Sequence, residues 1–480
     1  MLRKIAVLAL LAATLGSSAK GAPGKPGSAA AQPQTEAEKL SNQLVALRDA
    51  ALTDDYAYHE LAHLTENIGP RGLGSPQAEA AAEYVAAEMR KLGLDAKLEA
   101  VHVPKWYRGI ETGELIEYPG QAPGSTQKIV LTALGGNAPT PPEGITADIV
   151  VVRNYNELNR LGRKDVAGKI VLFYAVYDKQ KAISNYTPEA YGEVAQYRVD
   201  GAQKAAALGA VACLVRSAGS ADFRLPHTGS SVPAGIPAGA VTAEDGDLMD
   251  HLARQGRVRM HMTMTAHFGE EVVTHNAIAD LKGSEHPEQV VVVSGHLDSW
   301  DLGTGAIDDG AGVAMAMESV QLLRQLGLHP RRTVRVIAWM DEESFGSGHT
   351  AYAKDYRAEF ANHVAAIESD LGASHPFGVY AKVKPAELKL LDPVQDVLGS
   401  FGANIMRGVD TNPGSDLGPL AEAGVPSFAP IQDSRTYFDY HHSAADTLDK
   451  VIPQQLRENA AVLAVLTYFL AEMPEPLPRY

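Results

Sequence analysis

The chain has 480 residues, 45% hydrophobic and 21% charged, with a formal charge of −16. That length suggests about two to four domains, and the composition excludes wholesale disorder and coiled coil. The acidic balance excludes a broad basic surface for nucleic acid. The single cysteine, Cys213, excludes an internal disulfide and any multi-cysteine metal site, so a bound metal must rely on histidine and carboxylate.

Arg3 and Lys4 precede an apolar run from Ile5 to Leu15, and small residues Ser17, Ser18 and Ala19 follow. This order predicts a signal peptide over 1–19, with export to the periplasm or the medium. Residues 20–35 are rich in Pro, Gly and Ala and read as a disordered linker. No second apolar run reaches about 18 residues, so no membrane span is expected in the mature protein.

Apolar residues recur at helical spacing over Gln77–Leu92, within the first segment of a main domain at 36–120. Between Ile110 and Gly144 the periodicity fades and Gly and Pro become dense, which reads as loops. Strand-like runs follow at Asp148–Arg153, Lys169–Val176 and Ala210–Val215, with a helix at Asp200–Leu208 before the last of them. Together with the Pro-punctuated Ser231–Met249, they predict a compact β-rich module inserted at 121–268. From 269 to 480 the alternation is regular. Strands Gln289–Ser294, Thr333–Met340 and His363–Ser369 are separated by helices Ala311–Leu326 and Ser347–Phe360. The expected fold is α/β, a mostly parallel sheet with helices on both faces. Ligands bind beyond the carboxyl ends of such strands.

Those ends carry His296 and Asp298, then Asp308 and Asp309, then Asp341, Glu342 and Glu343, then Asp370; His441 and His442 lie near the C-terminus. Carboxylates brought together repel one another, and a cation is the natural way to hold them. Histidine with carboxylate and no sulfur suits zinc in a hydrolytic site.

The stretch HLDSWDLGTGAIDDGAG, followed by Asp341-Glu342-Glu343, Asp370 and His441-His442, resembles peptidase family twenty-eight, the co-catalytic zinc exopeptidases. Twelve residues separate His296 from Asp308, similar to the carboxypeptidase Q branch of that family. The inserted DVAGKIVLF, GAQKAAALGAVACLV and IPAGAV resemble a protease-associated domain. The resemblance implies two zinc ions bridged by Asp308, with His296 and Asp370 completing one site and Glu343 and a C-terminal histidine the other. It implies Glu342 as general base, acting with a metal-bound hydroxide, and Asp298 as the carboxylate that orients His296. The last ligand lies between His441 and His442, and the family spacing of four residues to an acidic residue, Asp446, selects His442.

The implied substrates are short peptides with free termini, cleaved by a dipeptidase or carboxypeptidase-like enzyme, and the implied assembly is a homodimer. An aminopeptidase acting on longer peptides is the nearest alternative. A single-zinc glutaminyl cyclase and a non-catalytic binding protein are disfavoured because every ligand position is filled. Asp416 reads equally as a pocket residue or a surface turn. Arg407 and Arg435 are candidates for a substrate carboxylate, against the commoner role of solvated arginines. Cys213, in an apolar run, reads as a core residue.

Overall fold

A computed structural model describes residues 34–480. The expected signal peptide and residues 20–33 of the linker lie outside the described residues. Two eight-stranded sheets organise the rest. The first runs Asp95–Tyr107, His267–Leu281, Arg332–Trp339, His286–His296, His363–Glu368, Ser427–Gln432, Pro376–Lys382, Ile405–Gly408. Its centre, from Arg332–Trp339 to Ser427–Gln432, is parallel. Four of its seven pairings are parallel, as expected, and antiparallel strands are added at its flanks. An antiparallel partner needs no covering crossover helix, so apolar runs alone did not reveal these pairings.

The central strand explains why both faces are covered. Val291 and Val293 join the cluster formed with helices Ala311–Gln325 and Pro453–Glu472. Val290 and Val292 face the opposite cluster, with Tyr352 of helix Ser347–Tyr356 and Leu420. Successive side chains of a strand point to opposite faces, so a continuous valine run fits only a sheet buried on both.

All eight strands of the second sheet fall between Glu111 and Met264. The flanking strands of the first sheet pair antiparallel, and Tyr107 lies opposite His267. The insert is therefore a long excursion out of one hairpin. Sheet membership changes between Tyr107 and Glu111, earlier than the expected 120/121 boundary. The segment read as loops holds strands Glu111–Glu117, Gln127–Ile129 and Leu131–Ala133. Glu111–Glu117 alternates only weakly in polarity and gains its partner, Arg259–Met264, from far along the chain. The insert is also less β-rich than expected, since helices Tyr155–Val166, Thr187–Ala207 and Ala243–Ala253 accompany its strands. Cys213 is buried in the insert core, as its apolar run predicts.

Candidate metal centre

His296 ends the central parallel strand, and Asp370 follows Glu368, which ends the neighbouring strand. Between them, Gly305 takes a left-handed conformation (φ +62°) that reverses the chain toward Asp308. Three buried contacts hold this turn. Arg71, fully buried, donates from Nε to the Leu297 carbonyl (2.5 Å), from Nη1 to that of Thr304 (2.7 Å) and from Nη2 to that of Gly305 (2.7 Å). Asp446 Oδ1 accepts from the amides of Ala306 and Ile307, each at 2.8 Å. Asp309 accepts from the His296 amide at 3.1 Å and the Gly312 amide at 3.0 Å. Both Asp309 oxygens are thus engaged by backbone, and it acts as a brace beside the site. The Asp308–Asp309 peptide is cis.

Asp308 stands at the middle of the constellation. Its Oδ1 lies 3.2 Å from His296 Nε2, which is also 3.2 Å from Asp370 Oδ1. Its Oδ2 lies 3.3 Å from His442 Nε2, which is 2.7 Å from Glu343 Oε2. The two oxygens of one carboxylate therefore face two separate His–carboxylate pairs. Tyr437 Oη donates to Asp308 Oδ1 at 3.0 Å. His441 Nε2 also approaches Asp308 Oδ2, at 3.5 Å, but its other nitrogen meets His227 of the insert at 3.1 Å. Of the two C-terminal histidines, the ion-pair contacts to both Asp308 and Glu343 belong to His442.

The electrostatics favour a cation. Burial opposes charge on His296, yet Asp370, Asp298 and Asp308 raise its imidazole well above the usual range. Burial pushes Asp308 up, opposed by His296. Burial and the neighbouring Asp308 charge push Glu343 well above the usual carboxylate range. Burial holds His442 well below the ordinary imidazole value, which keeps it a neutral ligand donor. Glu343 Oε1 is buried with no hydrogen-bond partner. An orphaned carboxylate oxygen among nitrogen and oxygen donors fits zinc, which takes His and carboxylate together.

His296 Nδ1 lies 3.1 Å from the Asp298 backbone carbonyl and 3.7 Å from its carboxylate. The carboxylate is drawn instead to the amides of Glu342 (3.1 Å) and Glu343 (3.4 Å). It therefore sets the loop that carries Glu342 and Glu343, the expected base and ligand. The preceding Asp341 takes a left-handed backbone, φ +67°, and its carboxylate accepts from the amides of Phe345 and Ser347. Burial pushes the Glu342 carboxyl up to about 7, against the pull of His296 and with the repulsion of Asp370. A carboxyl poised near neutrality suits proton transfer at physiological pH.

The insert reaches the centre directly. The Thr228 amide donates to the His442 carbonyl at 2.9 Å, and His442 Nδ1 lies 3.3 Å from the Thr228 carbonyl. The tautomer with Nδ1–H toward Thr228 leaves the Nε2 lone pair facing Glu343 and Asp308, and it excludes a hydrogen bond to the same Nδ1 from Arg198, which can only donate. Arg198, buried in the insert, places Nη1 3.0 Å from His442 Nδ1 and 3.3 Å from the Thr228 carbonyl.

Asp416 is buried and accepts from His349 at 2.8 Å, so it belongs to the interior and not to a surface turn. Buried Glu368 accepts from the amides of Asp416 and Leu417, and Ser415 Oγ lies 3.2 Å from both Glu368 and Asp370, with one hydroxyl proton to give to either. Sequence reasoning missed Arg71, Glu368, Tyr437, Arg198 and His227, and gave Asp309 no separate role. An arginine inside a Gly/Pro-rich run signals Arg71. Nothing local signals Arg198 or His227, which only the docking of the insert brings in.

The sequence model of Peptidase family M28 matches residues 276–467. Carboxypeptidase Q of Bos taurus is 36% identical over 430 residues, which span 88% of this chain and 87% of that protein. The solved structure of a Peptidase M28 precursor from Shewanella amazonensis is similar with a TM-score of 0.85 and 33% identity, covering 92% of this chain and 99% of its own. BSAP, a zinc aminopeptidase from Bacillus subtilis, shares the fold with a TM-score of 0.63 at 22% identity, covering 87% and 95% respectively. With 36% identity to a relative along most of both chains, the protein belongs to Peptidase family M28, hydrolases of the metallopeptidase class.

Proposed function

We propose that the protein is an exported zinc exopeptidase that hydrolyses short peptides, as a dipeptidase or carboxypeptidase. In this reading His296 and Asp370 hold one zinc, Glu343 and His442 hold a second, and Asp308 bridges them. The observation that carries it is the division of Asp308, with Oδ1 toward His296 and Oδ2 toward His442. Zinc, when bound, supplies the positive charge that acidifies water and polarises a carbonyl.

The chain's own residues do the rest. Glu342, ionised, takes a proton from the attacking water and returns it to the leaving amine. Asp298 fixes the backbone of Glu342 and Glu343, so base and ligand diverge from one turn. Arg71, Asp309 and Asp446 hold the Asp308 turn, so no rearrangement is needed as charge develops. The N-terminal segment directs export. Among the described residues, no helix is long and apolar enough to cross a membrane.

A panel of dipeptides with free, N-blocked and C-blocked ends, with and without chelator, tests this. Activity that chelator abolishes, lost on blocking either end, marks a dipeptidase. Loss on C-blocking alone marks a carboxypeptidase. Loss on N-blocking alone replaces the proposal with an aminopeptidase, and chelator-resistant hydrolysis removes the metal from the reading.

A further inference from the structure

The two arginines singled out in the sequence have different surroundings. Arg435 is committed, with Nη2 2.5 Å from Asp433 Oδ2. Arg407 has no carboxylate within ion-pair distance among the described residues. It lies in the edge strand Ile405–Gly408, its guanidinium 5.9 Å from the centre of the Tyr380 ring. Arg407 lines a cleft of about 440 Å³ that also borders Asp370 and Ser415. Its other wall comes from the insert, through Pro188 and Glu189 in the first turn of helix Thr187–Ala207. The cleft thus adjoins a candidate zinc ligand, and Arg407 is the one cationic side chain among the described residues that line it.

Arg407 is exposed, as arginines commonly are, and what singles it out is its place as the cation lining a cleft that also borders Asp370. The guanidinium fork matches a carboxylate in two parallel hydrogen bonds, and the Tyr380 face restrains its plane. The cleft volume falls within the range of small-ligand sites, and a dipeptide extends only about 7 Å. We propose that Arg407 binds a carboxylate of the substrate and so makes this centre prefer peptides that carry one on the cleft side of the scissile bond. The inference rests on the peptidase reading and adds to it the specificity residue. The carboxylate is either the free C-terminus or an acidic side chain.

The test compares native protein with Arg407→Gln and Arg407→Lys, each zinc-loaded, on a neutral dipeptide, its C-terminal amide, and the amide of a dipeptide ending in Glu. Native protein should favour the free neutral dipeptide over its amide by about tenfold or more in kcat/KM. Arg407→Gln should collapse that ratio toward one, mainly through KM, and Arg407→Lys should recover part of it. If instead the ratio of the Glu amide to the neutral amide collapses, the carboxylate is that of the side chain. Both ratios unchanged in Arg407→Gln, at native zinc content and melting temperature, overturn the inference while the peptidase reading stands. Native protein that hydrolyses none of the three overturns both.

Discussion

The two halves of the proposed metal centre are built from different materials. His296 ends a central parallel strand, paired with Trp339, and Asp370 lies two residues past the end of the neighbouring strand. His442 follows the four-residue helix Tyr437–Tyr440, with a left-handed backbone at φ +58°. It is held by an element outside the catalytic sheet, the His227–Gly229 segment of the insert. A residue in that sparsely populated conformation persists only where its surroundings determine it. The first pair is therefore positioned by the sheet and the loops that follow its strands, whereas His442 also leans on the insert. The insert is part of the centre, beyond any role as a cover.

The largest expected effect ignores the division. Glu342→Gln should lower turnover by about 10²–10⁴-fold and leave zinc content at the native level, measured on the same preparation. Near-native turnover with full zinc would remove Glu342 from the base role. The next effects expose the division. His296→Ala and His442→Ala should each reduce bound zinc in equilibrium dialysis. Only His442→Ala should leave the strand-borne pair of His296 and Asp370 able to retain metal.

The insert contact comes third. A Cβ on Gly229 would sit 1.6 Å from Arg198 Nη1 and 2.9 Å from His442 Nδ1, at φ +137°. Gly229→Ala should weaken zinc at the His442 half by about 10–100-fold, as loss of an outer support does elsewhere, and spare the other half. Equal weakening at both halves would contradict the separation.

The smallest effect is a remote control. Glu318 is buried in helix Ala311–Gln325 and accepts from the Ala57 amide at 2.9 Å. Burial pushes its carboxyl from 4.5 up to about 8. The folded state thus holds this proton more tightly than the unfolded one. The resulting stability is complete below about pH 4.5 and fades as pH rises through about 8. Glu318→Gln should flatten the decline of melting temperature between those limits without altering zinc content. An unchanged profile would show that Glu318 ionises freely.

The same division governs what could be read from the sequence. The valine run before His296 and the apolar run before Asp370 announce a buried parallel sheet, and the ligands at their ends follow from that topology. The Asp308 turn was legible as Gly-rich, but Arg71 and Asp309, which hold it, act through backbone groups that leave no pattern of spacing. Asp446 entered as a spacing mark for His442 and turns out to tie the Asp308 turn to the C-terminal histidines. The weakly patterned strands near Glu111 were read as loops because their pairing is long-range. Arg198 and His227 lay hidden for the same reason, since contact across more than two hundred residues is a tertiary fact.

The central claim is that two His–carboxylate pairs share Asp308 as the bridge between two zinc ions. Titrating metal-free protein with zinc, while following bound metal and dipeptide hydrolysis together, tests it most directly. The account predicts no hydrolysis without metal and full activity only as binding approaches two zinc ions per chain. Full activity at one zinc per chain, or hydrolysis by the metal-free protein, would contradict it.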